Sequence, residues 1–101
     1  MKYEAKPTPL FSRQFKKFHR NEQEKIAKVV ESLREVPNVG EPLKGVLTNY
    51  KSVEIEHIPG NFRLIFRVLN PEQIIHLIAV GPHRTIYTEA TRYVKEAKLN
   101  L

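Results

Sequence analysis

Cysteine is absent from this chain of 101 residues, which excludes disulfide bonds, thiolate metal ligands and thiol catalysis. The sequence has no run of about 18 apolar residues and no basic segment followed by an apolar one, as a signal peptide would have. Internal repeats and low-complexity segments are also missing. We therefore expect a protein that neither spans a membrane nor carries a signal peptide, and a cytoplasmic location is compatible with the lack of cysteine.

The charge is strongly positive for so short a chain. Lysine and arginine number 17 against 11 acidic residues, which gives a net charge of +6. Hydrophobic residues make up 41% of the chain, so residues 1–101 are expected to form a single domain with an ordinary core. A small basic domain attracts phosphate polyanions through salt-sensitive contacts, and it attracts a strongly acidic protein equally well.

Residues 61–69 alternate as a β-strand does, with two different faces. One face is wholly apolar and comprises Phe62, Leu64, Phe66 and Val68. The other carries Arg63 and Arg67, whose positions on a strand are about 13 Å apart. That separation is too large for one phosphate and suits a nucleic-acid backbone over two nucleotides. The alternative is an edge strand with a solvated basic face.

The remaining pattern predicts a short strand, two helices, three antiparallel strands and a final helix. Thr8 followed by Pro9 is typical of a helix start. The predicted segments are a strand at 1–6, a helix from Pro9, a helix capped by Asn21 and ending near Glu35, a loop at 36–49, strands at 50–57, 61–69 and 73–80, and a helix from Tyr87 to Ala97. We expect an α+β sandwich, in which an N-terminal helical hairpin and the C-terminal helix pack on one face of a small antiparallel sheet.

The histidines do not form a metal site. They are His19, His57, His76 and His83, and their spacing contains neither HxH nor HxxxH. We therefore expect neither a metal ion nor another cofactor. Because His76 lies in the apolar segment 73–80, it is interpreted as a hydrogen-bonded core histidine.

His83, Arg84 and Tyr87 follow directly after the apolar strand. Metal-free cleavage of RNA needs a base for the ribose 2′-OH, a cation near the phosphorus and an acid for the departing 5′-oxygen. Histidine and arginine suit these tasks, tyrosine can stack on a base or donate a proton, and Glu41 in the loop can act as the base. The alternative for the pair at 83–84 is a solvated turn.

Three segments together resemble the RelE/ParE superfamily of bacterial and archaeal type II toxins: Glu41–Gly45, Phe62–Phe66 and Gly81–Tyr87. The resemblance covers nearly the whole chain. It implies a microbial-RNase-like α+β fold and an acidic antitoxin that wraps the toxin surface. RelE-like and YoeB-like members cut mRNA in the ribosomal A site by 2′-OH attack without a metal, so the resemblance implies mRNA and the ribosome as partners.

The segment at Glu41 matches the YoeB-like version, which implies Glu41 as general base, Arg63 as phosphate-binding cation and His83 as acid. In YoeB-like toxins a tyrosine follows the histidine directly. Here Arg84 follows it, and Tyr87 lies near the RelE-like tyrosine position, so the division of roles among these residues stays open. The residues expected to bind RNA are Lys44, Lys51 and Arg67.

One feature departs from the RelE-like pattern: RelE-like toxins carry lysines on the strand after the loop, whereas the outward set here is Ser52, Glu54 and Glu56. Two alternatives to a ribosome-dependent endoribonuclease stay open. ParE-like members share the fold and poison DNA gyrase without nuclease chemistry, and they typically lack a full acid–base set. The second alternative is a non-catalytic member that binds only its antitoxin or RNA.

Overall fold

The computed structural model describes residues 2–97 and shows an α+β fold built on a five-stranded mixed sheet. The strands are β1 (Glu4–Pro7), β2 (Glu41–Pro42), β3 (Lys51–Glu54), β4 (Phe62–Leu69) and β5 (Ile74–Pro82). The helices are α1 (Pro9–Lys16), α2 (Arg20–Glu35) and α3 (His83–Ala97), and a 3₁₀ turn spans Gly45–Leu47. Met1, which belongs to the predicted first strand, lies outside the described residues. Within 2–97, no helix is long and apolar enough to cross a membrane.

The sheet has the order β1-β5-β4-β3-β2. The pairs of β4 with β3 and with β5 are antiparallel, as predicted. β1 pairs with β5 in parallel, so the expectation of a wholly antiparallel sheet is wrong. β4, the arginine-bearing strand, lies in the middle of the sheet, which also contradicts the alternative of an edge strand. Arg63 and Arg67 therefore lie on a strand that is hydrogen-bonded to a neighbouring strand on each side.

Helices cover both faces of the sheet, so the prediction that they share one face is wrong. Under α1 and α2 lies a core that includes Leu64 and Phe66, and under α3 lies a second core that includes Ile65 and Ile78. The physical reason is that β4 and β5 bear large apolar side chains on both faces, and each face has to be shielded from water. The prediction that the strand at 73–80 is buried on both faces is confirmed for residues 77–80, whereas Ile74 and His76 are partly exposed.

A β-bulge in β5 enlarges the second core. Ile65 pairs with Ala79 and Phe66 pairs with Leu77, which leaves Ile78 as an extra residue on β5. Ile78 and Ala79 consequently both pack beneath α3.

Local hydrogen bonds determine where α1 and α2 begin. Thr8 caps α1 as predicted: its hydroxyl accepts from the Phe11 N–H at 3.1 Å and donates to the Ile78 carbonyl at 2.8 Å. α2 is capped by His19 and not by Asn21, because the Glu22 carboxylate accepts from the His19 N–H.

α3 begins at His83, earlier than the predicted start at Tyr87. The chain passes from β5 into the helix without a turn, and the His83 N–H bonds to the Asn61 carbonyl at 2.9 Å. The pair at 83–84 is therefore helical and not a turn, and both side chains are exposed, as that alternative expected.

The middle of the chain is more ordered and more buried than predicted. The expected loop at 36–49 contains β2 and the 3₁₀ turn, and the expected strand at 50–57 shortens to β3. Ser52 was predicted to point outward with Glu54, yet it is only 1% exposed. The reason is that its face of β3 lies under α3, together with Tyr50 and Leu47.

Candidate active site

Arg63 on β4 is the centre of the site. Its side chain is 12% exposed, and its Nη2 donates to Glu41 Oε1 at 3.3 Å and to Ser52 Oγ at 3.1 Å. The Nε–H is buried and has no hydrogen-bond partner in the described part of the chain. A buried donor without a partner is uncommon in proteins.

Glu41 reaches Arg63 because of the glycine before it. Gly40 has a φ of +91°, and a Cβ at this position would lie 2.8 Å from the Ser52 carbonyl oxygen. Only glycine lets the chain lie so close to β3 in this conformation. Glu41 then pairs with Ser52 in the sheet. Since the Glu41 side chain is 78% exposed, its ion pair with Arg63 is weak enough to give way to a substrate.

Tyr87 and His83 reach the same cluster from α3. The Tyr87 hydroxyl lies 3.3 Å from Ser52 Oγ. His83 precedes Tyr87 by one helical turn, and their rings meet edge-on with centroids 5.1 Å apart. A chain of contacts therefore runs from Glu41 through Arg63, Ser52 and Tyr87 to His83.

The other predicted site residues lie outside this chain of contacts. Arg84 is exposed in the first turn of α3, and within residues 2–97 no hydrogen bond or ion pair joins it to the cluster. Lys44 is exposed just before the 3₁₀ turn, and Lys51 is on the opposite face of β3 from Ser52. Arg67 lies over the ring of Tyr50, 5.6 Å from its centroid.

Ser52 is the member of the cluster that the sequence did not single out. Strand alternation places it on the same face as Tyr50, which is 1% exposed. Tyr50, a large aromatic residue two positions before Ser52, is the feature of the sequence that could have indicated that this face is covered.

His76 is not the hydrogen-bonded core histidine that was predicted. Its side chain is partly exposed on β5 and forms no hydrogen bond within residues 2–97. Burial lowers its pKa, and the charges of Arg67 and Lys6 lower it further. Across the described residues, no three histidine or acidic side chains are grouped so that they could hold a metal ion.

Open space adjoins the cluster beside Tyr87. A hollow of about 500 Å³ runs along α3, with Arg92 and Lys95 among its lining residues. Of the cluster, Tyr87 lines this hollow.

Residues 5–91 match the model of a family described as ParE-like toxins of type II bacterial toxin–antitoxin systems. The chain belongs to this family. The resemblance to the RelE/ParE superfamily is thereby confirmed for most of the toxin's length. No curated protein matches its sequence.

Solved structures show the same fold. A double mutant of E. coli toxin RelE in the free state superposes with a TM-score of 0.76 at 18% identity, covering 93% of this chain and 99% of that one. RelE in the intact E. coli RelBE toxin–antitoxin complex gives 0.69 at 17% identity, with coverages of 79% and 95%. The YoeB/ParE toxin from Agrobacterium tumefaciens gives 0.67 at 23% identity, with coverages of 79% and 98%. The predicted RelE-like fold is confirmed.

Proposed function

We propose that this toxin is a metal-independent endoribonuclease that cleaves ribosome-bound mRNA and so inhibits translation. The observation that carries the proposal is the largely buried Arg63 guanidinium, held by Glu41 and Ser52. A fixed cation of this kind stabilises the negative charge that builds on a phosphate during cleavage, at no cost of reorganisation.

In this proposal Glu41 takes the proton of the ribose 2′-OH, and the 2′-oxygen attacks the adjacent phosphorus. The bond to the 5′-oxygen breaks, and His83 donates the proton that this oxygen requires. The products are a 2′,3′-cyclic phosphate and a 5′-hydroxyl. Tyr87 positions His83 through their ring contact and stays tied to Arg63 through Ser52. Arg84 adds positive charge beside His83.

The antitoxin partner is part of the same proposal. RelE is described in complex with its antitoxin RelB and with a RelB peptide. The net charge of +6 on this toxin suits an acidic antitoxin that wraps its surface.

Arg63→Ala is expected to abolish growth inhibition and to lower mRNA cleavage by about 10²-fold or more, because the transition-state cation is lost. The measurement is incubation of the purified toxin with programmed ribosomes, followed by mapping of the mRNA ends. Arg63→Lys keeps the charge without the planar fork and should recover only part of the activity.

The matched control is Arg20→Ala, which removes an exposed arginine at the start of α2 and should cleave like the unchanged toxin. Circular dichroism shows whether each variant is folded. Full cleavage by a folded Arg63→Ala protein would overturn the proposal.

Gyrase inhibition is the second candidate function, because the matching family is the ParE-like one. In that case Glu41 and Arg63 form a structural ion pair and no RNA is cut. A gyrase supercoiling assay run beside the ribosome assay distinguishes the two: inhibition of supercoiling together with intact mRNA favours this candidate.

A further inference from the structure

Three basic residues form a row across neighbouring strands. Lys6 of β1 pairs with His76 of β5, and His76 pairs with Arg67 of β4. Such partners point to the same side of a sheet and lie about 5 Å apart. Ile75 and Leu77, which flank His76 along β5, pack under α1 and α2, so the row is on the opposite face, the one shared with Arg63.

The row places two fixed cations, Lys6 and Arg67, on either side of His76. Neither Lys6 nor His76 forms an ion pair within residues 2–97, whereas Arg67 interacts with Tyr50. Lys6 is exposed, while His76 and Arg67 are partly exposed, so all three can be reached from solvent. A row of basic side chains that solvent can reach suits an anionic ligand.

The chemistry of the row is more specific than positive charge. Burial, followed by the charges of Arg67 and Lys6, lowers the pKa of His76, so its imidazole is a neutral flat ring near neutral pH. Arg67 lies over the Tyr50 ring, which orients the guanidinium. The row therefore offers a flat ring with a cation on each side.

We propose that Lys6, His76 and Arg67 bind a nucleotide unit of RNA, in which the two cations hold phosphate oxygens and a base stacks on the imidazole. A nucleotide supplies an anion and a flat ring within one unit, whereas a peptide needs separate acidic and aromatic residues for the same two contacts. The proposal rests on the proposed function in taking RNA as the ligand. Arg67 follows Arg63 by four strand residues, about 13 Å, so one RNA strand can reach both.

The test measures binding of a short single-stranded RNA with 2′-O-methyl riboses, which 2′-OH attack cannot cleave. Fluorescence anisotropy at several salt concentrations compares the unchanged toxin with Lys6→Gln/Arg67→Gln. Two lost phosphate contacts should weaken binding about tenfold or more and reduce the slope of log K against log salt by about 1.4.

The matched control is Lys16→Gln/Lys28→Gln, which removes the same charge from exposed sites on α1 and α2. Its binding should change by less than about twofold, since no direct contact is lost. Equal losses in both variants, or none in the first, overturn the proposal. Because the RNA is uncleavable, the result does not depend on whether the toxin is a nuclease.

Two further measurements keep the proposal falsifiable if Arg67→Gln does not fold. Lys6→Gln alone alters an exposed side chain and should lower the salt slope by about 0.7. The carbon-bound imidazole protons of His76 should shift in NMR spectra when the same RNA is added to the unchanged toxin. Unshifted protons, or displacement of the RNA from the row by a polyglutamate peptide at equal ionic strength, would count against an RNA site.

Discussion

Ser52 joins two parts of the candidate site that come from different segments of the chain. Its hydroxyl accepts from Arg63 and lies within hydrogen-bond distance of Tyr87, and it has almost no contact with solvent. A buried hydroxyl in this position fixes both the guanidinium and the phenol. At the scale of single residues, the alignment of the site therefore depends on a side chain with no charge of its own.

Ser52→Ala is expected to lower cleavage about tenfold or more, because a hydrogen bond to a charged group contributes roughly 1.5–3 kcal/mol. The loss should appear in the rate of cleavage on programmed ribosomes. Ser52→Thr retains the hydroxyl and should recover part of that rate. Unchanged cleavage by Ser52→Ala would show that Arg63 and Tyr87 are held by other contacts.

At the scale of elements, β2 holds the Glu41 carboxylate in place. This strand is two residues long and within residues 2–97 it pairs only with β3, yet it brings Glu41 beside Ser52 and Arg63. Its approach depends on Gly40, where both the backbone conformation and the closeness of the Ser52 carbonyl exclude a side chain.

Gly40→Ala should displace β2 and lower cleavage strongly, and it should lower the melting temperature by roughly 4–16 °C, because a left-handed conformation costs alanine about 1–2 kcal/mol. Gly45→Ala is the matched control. Gly45 also has a positive φ, of +64°, but a Cβ there would meet nothing within 4 Å. Cleavage assays and thermal melting on both variants separate backbone strain from collision with β3. Equal activity of the two variants would contradict a positioning role for Gly40.

At the scale of the whole molecule, His76 makes the fold sensitive to acid. Its pKa in the folded protein lies below the ordinary value, so the unfolded chain takes up a proton more readily. The free energy of unfolding therefore falls as the pH drops below about 6.5, the pKa of an unperturbed histidine, towards the folded-state value.

The melting temperature of His76→Gln is expected to fall less between about pH 7 and pH 5 than that of the unchanged toxin, because this proton uptake is removed. Lys6→Gln should reduce the loss in part, since it removes one of the charges that lower the pKa of His76. Thermal melting across this pH range provides the measurement. If the melting temperatures of the unchanged toxin and His76→Gln fall in parallel as the pH drops, His76 is not the source of the sensitivity to acid.

Local patterns in the sequence were sufficient for most of the helices and strands and for most of the cluster. Thr8 and Pro9 marked the start of α1, the alternating and apolar segments marked the β3–β4–β5 meander, and short motifs drew attention to Glu41 and His83. These features depend on neighbouring residues, because caps, turns and strand alternation are set by short-range hydrogen bonding and sterics. The same motifs predicted the toxin family correctly.

Only the tertiary structure decided which faces of the sheet are covered. β4 and β5 are apolar on both sides, and nothing local determines that α3 crosses to the face opposite α1 and α2. That crossing buries Ser52 and brings Tyr87 to it beside Arg63. The register of β1, β5 and β4 places Lys6, His76 and Arg67 in one row. Contacts of this kind join residues far apart in the chain, so they depend on how the elements pack and not on the order of the residues within each element.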